Sequence, residues 1–341
     1  MSRHADDESV AGSVANLHFE PLLPWQRQAW QRLLGRVDRL PHGLLLSGGQ
    51  GVGKRRFADR FVAWLLCQAR QTDHACGHCQ SCTWLKAGTH PALLRISREV
   101  DAKGKVSKQI KIDQIRALIP FVQQTSADWR VVIIEPAESM NMAAANALLK
   151  TLEEPSERVL LLLIADQSLQ LPATIRSRVQ QIALGRIDPQ IAQEFVADEA
   201  QVSRTEAQVL LGLAGGAPLA ALDLASSNAY QACTDWLVDW LRVIQSPQAT
   251  PAVSAAWQKR LSLPEWLMMM QWLLRDLLAQ QLGLAAILPL RYEPLLAHYR
   301  LAALQQLYDQ VLADLAAQSQ NVQAGLVYDS LLQQLRQLAH V

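Results

Sequence analysis

Residues 48–55 have the types and the spacing of a phosphate-binding loop, G-x-x-x-x-G-K-[ST], except at the last position. In such a loop the glycines let backbone N–H groups turn toward phosphate oxygens, and the lysine neutralises charge on the outer phosphates. The serine or threonine that would place a hydroxyl on Mg²⁺ is replaced by Arg55, whose guanidinium has no lone pair to offer. The pattern therefore predicts a degenerate nucleotide site. Its cradle residues are Gly48, Gly51, Gly53 and Lys54.

The elements around this loop alternate as they do in a parallel α/β sheet. An apolar run at 43–47 leads into the glycines and a helical pattern follows them, which is the strand–loop–helix context that the motif requires. Continuous apolar strands separated by helices indicate a parallel sheet covered on both faces. Further strands are predicted at 92–97, 131–135, 159–165 and 179–183. Helices are predicted at 25–35, 54–69, 112–124 and 141–153.

Four of the five cysteines form a cluster with the spacing C-x8-C-x2-C-x2-C. In a reducing cytosol such a cluster is more often a metal site than a set of disulfides, and four thiolates suit tetrahedral Zn²⁺. A closed sulfur shell leaves no open position, so the zinc is expected to be structural. An iron–sulfur cluster needs the same number of cysteines and stays an alternative. The predicted ligands are Cys67, Cys76, Cys79 and Cys82, and the nearby histidines expected to be bystanders are His74, His78 and His90.

The length and composition of the chain indicate how many domains it has and in which cellular compartment it is expected. The chain has 341 residues, of which 50% are hydrophobic, enough for two or three domains. Its formal net charge of +1 favours no particular class of partner. The polar N-terminal residues lack the apolar core of a signal peptide, and no apolar run reaches the length of a membrane span. We therefore expect a cytoplasmic protein without membrane contact.

The pattern of elements changes along the chain. Residues 1–20 are expected to be a disordered leader, and residues 21–185 contain all the predicted strands. Short helices are expected over 186–227, and residues 228–341 have Leu, Ala, Gln and Trp at the spacing of an all-α domain. This last part is more apolar than one helical domain needs, so we expect it to carry subunit contacts. The alternative is that these side chains form only that domain's own core.

Several stretches have a more specific pattern. Residues 146–155 read NALLKTLEEP, and residues 171–179 read LPATIRSRV. Residues 24–26 read PWQ before the first helix, and the cysteine module lies between the loop helix and the second strand. Together these stretches resemble subunits of the bacterial DNA polymerase III clamp loader, a family of AAA+ proteins. The family's segment ends in cysteine where this chain has Val179.

The resemblance implies an AAA+ fold with three parts. Residues 21–185 would be the P-loop domain with a zinc module at 67–82, residues 186–227 a helical lid, and residues 228–341 a helical collar through which subunits assemble. It also implies partners, namely the gamma/tau and delta subunits, and contact with the sliding clamp and primed DNA through the complex. The family contains motor subunits that hydrolyse ATP, and a stationary subunit that hydrolyses none but lends an arginine to a neighbour's ATP site.

Four substitutions indicate the stationary kind. Arg55 replaces the Mg²⁺-binding hydroxyl, and the acidic motif reads Glu135-Pro136 instead of Asp-Glu. Proline can neither accept a proton nor orient a water. Ala165 and Ala220 stand where the family's motors have a polar sensor and a lid arginine. Because phosphoryl transfer depends on positioning and charge stabilisation, we expect no intrinsic ATPase activity. Whether the cradle still binds a nucleotide weakly or is an empty scaffold stays open.

The resemblance also assigns a role to Arg178, which follows Ser177. It would be an arginine finger, acting in trans on the γ-phosphate of ATP in a neighbouring subunit. Arg176 is a second candidate, and a surface salt bridge is the alternative for Arg178. The prediction is thus a non-hydrolysing clamp-loader subunit that helps to load the sliding clamp during DNA replication. The competing functions are an active AAA+ clamp-loader or helicase-loader ATPase, and a zinc-dependent DNA-binding protein, for which Trp84 and Lys86 are the only hints.

Overall fold

The computed structural model describes residues 17–101, 104–124, 128–317 and 323–340. Residues 1–16 of the predicted leader lie outside this part of the chain, and Leu17–Phe19 form a 3-10 turn. The described residues divide into two compact units. The first runs up to Phe195 and includes Ala217–Ala220, and the second contains Val196–Gly216 and the chain from Ala221 onward.

The first unit is built on a five-stranded sheet in which every pairing is parallel. The strands occur in the order β2-β3-β4-β1-β5. Their apolar runs are buried along β1, β4 and most of β3, as a parallel sheet covered on both faces requires. The predicted parallel α/β sheet is therefore confirmed. The bounds are β1 Gly43–Ser47, β2 Leu93–Ile96, β3 Arg130–Ile134, β4 Val159–Ala165 and β5 Gln180–Ala183.

Helices pack on both faces of this sheet. One face packs against α2 through a core that contains Phe57 and Phe61, and the other packs against α4 and α5. The Asn141 side chain caps α5 by accepting a hydrogen bond from the Ala144 N–H at 2.8 Å. The helix predicted at 54–69 ends at Leu66, because Cys67 has extended backbone angles and turns into the cysteine module. The helices are α1 Arg27–Leu34, α2 Lys54–Leu66, α3 Gln80–Lys86, α4 Ile112–Gln123, α5 Met142–Glu153 and α6 Ala173–Arg176.

The second unit is helical throughout the part that the structure describes. Its core is rich in aromatic side chains, and Trp236 meets both Trp257 and Trp266 edge to face. Ser262 and Glu265 form a capping box that starts α12. The helices after α6 are α7 Pro189–Ala200, α8 Arg204–Leu213, α9 Pro218–Ala225, α10 Asn228–Gln245, α11 Thr250–Arg260, α12 Leu263–Gln281, α13 Glu293–Leu296, α14 Leu301–Ala317 and α15 Ala324–Leu338. Both α7 and α9 contribute residues to each unit.

None of the described helices is by itself long and apolar enough to cross a membrane. One pair of helices, α8 and α9, passes the same test of length and composition together, with a bend of 108° between them.

Candidate functional site

The glycine loop lies at the edge of the sheet where the carboxyl ends of β1, β3 and β4 meet. Gly51 and Gly53 have φ angles of 79° and 82°, in the left-handed region that favours glycine. A Cβ atom on Gly53 would lie 2.4 Å from Leu23 Cδ1, and one on Gly51 would lie 2.6 Å from Ala220 Cβ. Only glycine fits at these two positions, because Leu23 and Ala220 lie directly against the loop.

The Lys54 side chain is held by the loop from which it projects. Its Nζ donates to the carbonyl oxygens of Gly48 at 2.8 Å and Gly49 at 2.7 Å, and lies 2.5 Å from Asp166 Oδ1. The residue is only 6% exposed. An ammonium has three N–H donors, so these contacts use all of them. A phosphate oxygen could therefore reach Lys54 only by displacing one of these acceptors.

Arg55 and Glu135, the residues at the two positions where a metal-binding group was expected, contact each other. Arg55 Nε donates to Glu135 Oε2 at 2.9 Å, so a guanidinium lies beside the carboxylate of the residue that follows β3. Burial raises the pKa of Glu135, and the charge and hydrogen bond of Arg55 act in the opposite direction. The next residue, Pro136, offers no carboxylate. The positive charge at this position therefore comes from the Arg55 side chain, whereas a complete phosphate-binding loop would bind Mg²⁺ there.

A second ion pair lies close to the first. Asp59, which is fully buried, accepts a hydrogen bond from Arg95 Nη2 through Oδ1, and its Oδ2 has no hydrogen-bond partner among the described residues. The negative charge of Asp59 raises the pKa of Glu135, and the positive charge of Arg95 lowers it. Sequence reasoning missed them, although Asp59 follows Arg55 by four residues, which places both on one face of α2.

The PWQ segment contacts the same loop. Trp25 Nε1 donates to the carbonyl oxygen of Val52 at 3.0 Å, and Gln26 Nε2 donates to the carbonyl oxygen of Gly53 at 2.9 Å. The backbone N–H of Leu219 donates to Gly51 O at 3.0 Å, so the start of α9 closes over the glycines. Ala220, the next residue of α9, lies so close to the loop that a Cβ on Gly51 would meet its Cβ at 2.6 Å.

The four clustered cysteines lie together in space. Their Sγ atoms are all within 4.8 Å of one another, and four of the distances are 3.5, 3.7, 3.9 and 3.9 Å. Backbone N–H groups of Cys76 and Cys79 donate to the sulfurs of Cys67 and Cys76. Among the described residues the group contains cysteines alone, so the three nearby histidines lie outside it. These four residues could hold a metal ion.

The thiols of this cluster differ in acidity. Burial acts to raise the pKa of Cys79, but hydrogen bonds from the backbone at Cys82 and Gln68 and from neighbouring thiols lower it to about 6. The pKa of Cys82 is raised, mainly by its burial. The cluster thus combines one acidic thiol near the surface with a buried one.

A hydrogen-bonded chain supports the short helix α3 that carries two of the cysteines. Ser81 Oγ donates to the carbonyl oxygen of Leu66 at 2.7 Å, and His90 Nε2 lies 2.8 Å from Ser81 Oγ. His90 Nδ1 accepts from the Ala92 N–H at 3.1 Å, so the neutral imidazole with its proton on Nε2 satisfies every partner. Burial, the larger effect, and the neighbouring His18 lower the pKa of His90, in agreement with this neutral form.

Arg178 lies in the turn between α6 and β5. Its Nε donates to Glu153 Oε1 at 2.8 Å, and Nη2 lies 2.5 Å from the same oxygen. Its Nη1 donates to the carbonyl oxygen of Thr174 at 3.0 Å. Arg176 is exposed, and its side chain has no hydrogen bond or ion pair to any residue within the described ranges.

Residues 25–188 match the family model described as "DNA polymerase III, delta subunit". The chain is 43% identical over 203 residues to DNA polymerase III subunit delta′ of Pseudomonas aeruginosa PAO1, a match that covers 59% of this chain and 60% of that protein. It is 32% identical over 213 residues to subunit delta′ of Escherichia coli K12, covering 61% and 62%. It is also 35% identical over 154 residues to subunit tau of E. coli K12, covering 45% and 23%.

The chain thus spans about three fifths of the length of the delta′ subunits that it matches. The similarity includes the residues of the glycine loop, the cysteine cluster and Arg178, which all lie within 25–188. The resemblance seen in the sequence is confirmed: over about three fifths of its length, this chain is homologous to DNA polymerase III subunit delta′.

Proposed function

We propose that the chain is a clamp-loader subunit that does not hydrolyse ATP, and that it acts as the stationary member of the complex. The observation that carries this proposal is the pair of contacts at the glycine loop. Lys54 is saturated by Gly48, Gly49 and Asp166, and Arg55 pairs with Glu135. The groups that would bind the phosphates and the metal in a motor subunit bind each other here.

The proposed architecture is that of an AAA+ clamp-loader subunit. The parallel sheet with its glycine loop at the carboxyl edge would be the P-loop domain, which is where open α/β sheets bind ligands. The short helices that follow would be the lid, and the helices from about residue 228 the collar. The chain would work in the cytoplasm with gamma/tau and delta subunits, and would meet the sliding clamp and primed DNA through the complex.

The contacts at the loop favour the empty scaffold over weak nucleotide binding. A phosphate would have to displace Gly48 O, Gly49 O or Asp166 from Lys54. A magnesium ion would meet the guanidinium of Arg55 at Glu135. Pro136, in the place expected for the catalytic carboxylate, cannot orient an attacking water.

Arg178 would act on a neighbour's ATP. It is on the surface, in the turn before β5, and a planar guanidinium can bind phosphoryl oxygens with two parallel hydrogen bonds. Transition-state charge on a transferring phosphoryl group is what such an arginine stabilises. Because the arginine comes from another subunit, hydrolysis would depend on correct assembly.

The cysteine cluster would hold one structural zinc ion. A Zn–S distance of about 2.3 Å places the four sulfurs of a tetrahedral site about 3.8 Å apart. Four of the six sulfur–sulfur separations are 3.5–3.9 Å and fit that edge length. An iron–sulfur cluster puts several irons and sulfides between its thiolates, and sulfurs within 4.8 Å of one another leave room for a single ion. The zinc would join the end of α2 to α3, with all four positions filled by sulfur.

The second unit would supply the tightest subunit contacts. Many of its large apolar side chains are buried in its own core, so the simpler alternative accounts for most of them. Several remain exposed, more than scattered surface residues need. They are Val238, Leu282, Leu284, Leu301, Leu312 and Leu326.

An active ATPase is the second candidate, because the chain is also 35% identical to subunit tau over 45% of its length. The same loop contacts argue against it. The ATPase activity of the isolated chain distinguishes the two functions. An active subunit hydrolyses ATP by itself, whereas a stationary one affects hydrolysis only within a complex.

Reconstitution tests the proposed function. The purified chain is mixed with gamma/tau and delta subunits, separated by size-exclusion chromatography, and each fraction is assayed for ATPase activity with clamp and primed DNA. We expect the chain to co-elute with the other subunits and to show only background activity alone. A chain that stays separate, or that hydrolyses ATP alone with multiple turnovers abolished by Lys54→Ala, would contradict the proposal.

A further inference from the structure

The guanidinium of Arg178 is engaged on all three of its nitrogens. Nε and Nη2 both contact Glu153 Oε1, and Nη1 donates to Thr174 O and to Ser177 Oγ. The Nε/Nη2 edge is one of the edges of an arginine that can bind a phosphate with two parallel bonds. Glu153 closes that edge.

The fold fixes the two partners at this separation. Glu153 is the last residue of α5, and Arg178 precedes β5. The residues next to them, Leu152 and Val179, both pack against Gly43 of β1, where an added Cβ would lie 2.9 Å from each. The contact between Glu153 and Arg178 therefore follows from the packing of α5 and the β5 turn on the same strand.

Helix stability does not explain a carboxylate at this position. The carboxyl end of a helix carries partial negative charge, which favours lysine or arginine in the last turn and disfavours glutamate. Glu153 ends α5 and Glu154 is its C-cap residue. The ion pair with Arg178 compensates for the charge of Glu153, whereas the Glu154 side chain has no ion pair or hydrogen bond among the residues that the structure describes.

We propose that Glu153 is a positioning residue that holds Arg178 withdrawn until the triphosphate of a neighbouring subunit displaces it. This inference rests on the proposed role of Arg178 as a finger. A triphosphate carries more negative charge than one carboxylate, so it can take over the guanidinium. The exchange has a cost, because the ion pair with Glu153 must break first. Glu153 thereby sets how readily the assembled complex uses ATP.

The test is Glu153→Gln in the reconstituted complex, with Glu154→Gln as the matched control. Glutamine keeps the shape of the side chain and removes its charge. We expect kcat/KM for ATP to rise by up to about fivefold, the range that an exposed ion pair contributes. The difference from wild type should shrink at high salt, because salt screens exposed charges. Glu154→Gln should leave kcat/KM unchanged.

Other results overturn the inference. A fall in kcat with Glu153→Gln would mean that Glu153 holds the arginine in its working position, and an unchanged kcat/KM would mean that the ion pair is only structural. Arg178→Ala in the same assay separates this inference from the proposed function. If Arg178→Ala lowers the rate and Glu153→Gln does not raise kcat/KM, only the role of Glu153 is wrong. If Arg178→Ala has no effect, the finger itself is wrong.

Discussion

Arg55 and Glu135 lie 80 residues apart in the sequence and form an ion pair, with Nε 2.9 Å from Oε2. Arg55 is the second residue of the loop helix α2, and Glu135 follows strand β3. In a phosphate-binding loop these two positions would share a magnesium ion. Here the guanidinium neutralises the carboxylate, so the site needs no metal to balance its charge. The ion pair links the loop helix to the sheet.

Lys54 is expected to stabilise the fold instead of binding ATP. One hydrogen bond to a charged group contributes about 1.5–3 kcal/mol, so Lys54→Ala, which removes three contacts of the ammonium, should lower the free energy of unfolding by at least about 2 kcal/mol. For a unit of this size, a loss of about 2 kcal/mol corresponds to a fall in Tm of roughly 4–8 °C, which is the smallest fall that we expect. Thermal unfolding measured with and without Mg-ATP tests both parts, since ATP should leave the Tm of the wild-type chain unchanged.

Lys150→Ala is the control for this experiment, because Lys150 is an exposed lysine on α5. It should leave Tm within about 1 °C of wild type, as exposed substitutions usually do. The opposite pattern would identify a working nucleotide site: a wild-type Tm that rises with Mg-ATP, and a Lys54→Ala variant that is stable but no longer responds.

Zinc is expected at about one ion per chain, as a closed thiolate shell predicts. Chelation under reducing conditions should lower Tm, because the ion joins α2 to α3. Cys79→Ser should bind substoichiometric zinc, since it removes one of four ligands. Elemental analysis of freshly purified protein measures the metal directly.

Cys233→Ala provides the cysteine control, because Cys233 lies in the second unit and its thiol donates to Ala229 O. This variant should retain a full zinc ion. Protein that contains no metal, or that contains iron with a visible absorption band, would rule out the zinc assignment.

Local spacing made part of this site predictable. The glycine loop and the four cysteines are short patterns, and each group comes together because its members are close in sequence. The strands were predictable because a buried parallel strand is a continuous apolar run, and the strand at 159–165 has the bounds expected for it. The short helix α3 was missed, since seven residues are too few for a clear helical period.

The contacts that decide the chemistry were not predictable in the same way. Asp166 reaches Lys54 because β4 pairs with β1, and Glu153 reaches Arg178 because both elements pack on β1. Such contacts depend on the order of strands in the sheet, which no local pattern contains. The sequence showed that Arg55 replaces the serine or threonine of the loop. Its ion pair with Glu135 became evident only in the three-dimensional structure.

Exposed leucines of the second unit are expected to form subunit contacts. Leu282 and Leu284, which are 60% and 63% exposed, follow α12. Replacing both with aspartate should leave the isolated chain folded, because neither is part of the core, and should weaken its assembly with the other subunits. Size-exclusion chromatography of the mixture, with circular dichroism of the isolated variant, provides the measurement.

Leu169→Asp is the matched control, since Leu169 is 81% exposed and lies in the first unit. It should assemble like wild type. Point substitutions are preferable to deletion of residues 228–341, because the second unit begins at Val196 and such a deletion would cut through it. Full assembly of the Leu282/Leu284 variant would place the main contacts elsewhere.

The ATPase rate of a reconstituted complex that contains Arg178→Ala tests the central claim most directly. The variant should remain folded, bind zinc and join the complex, and Arg176→Ala, at the second candidate for the finger, shows whether the effect is specific to Arg178. At the ATP site that receives the arginine, the rate should fall by roughly 10³-fold or more, and clamp loading should slow with it. Arg178→Lys should restore the rate only in part, because an ammonium cannot form the two-pronged contact. If the alanine variant assembles normally and the complex hydrolyses ATP at the full rate with clamp and primed DNA, Arg178 is an ordinary structural arginine and the account is wrong.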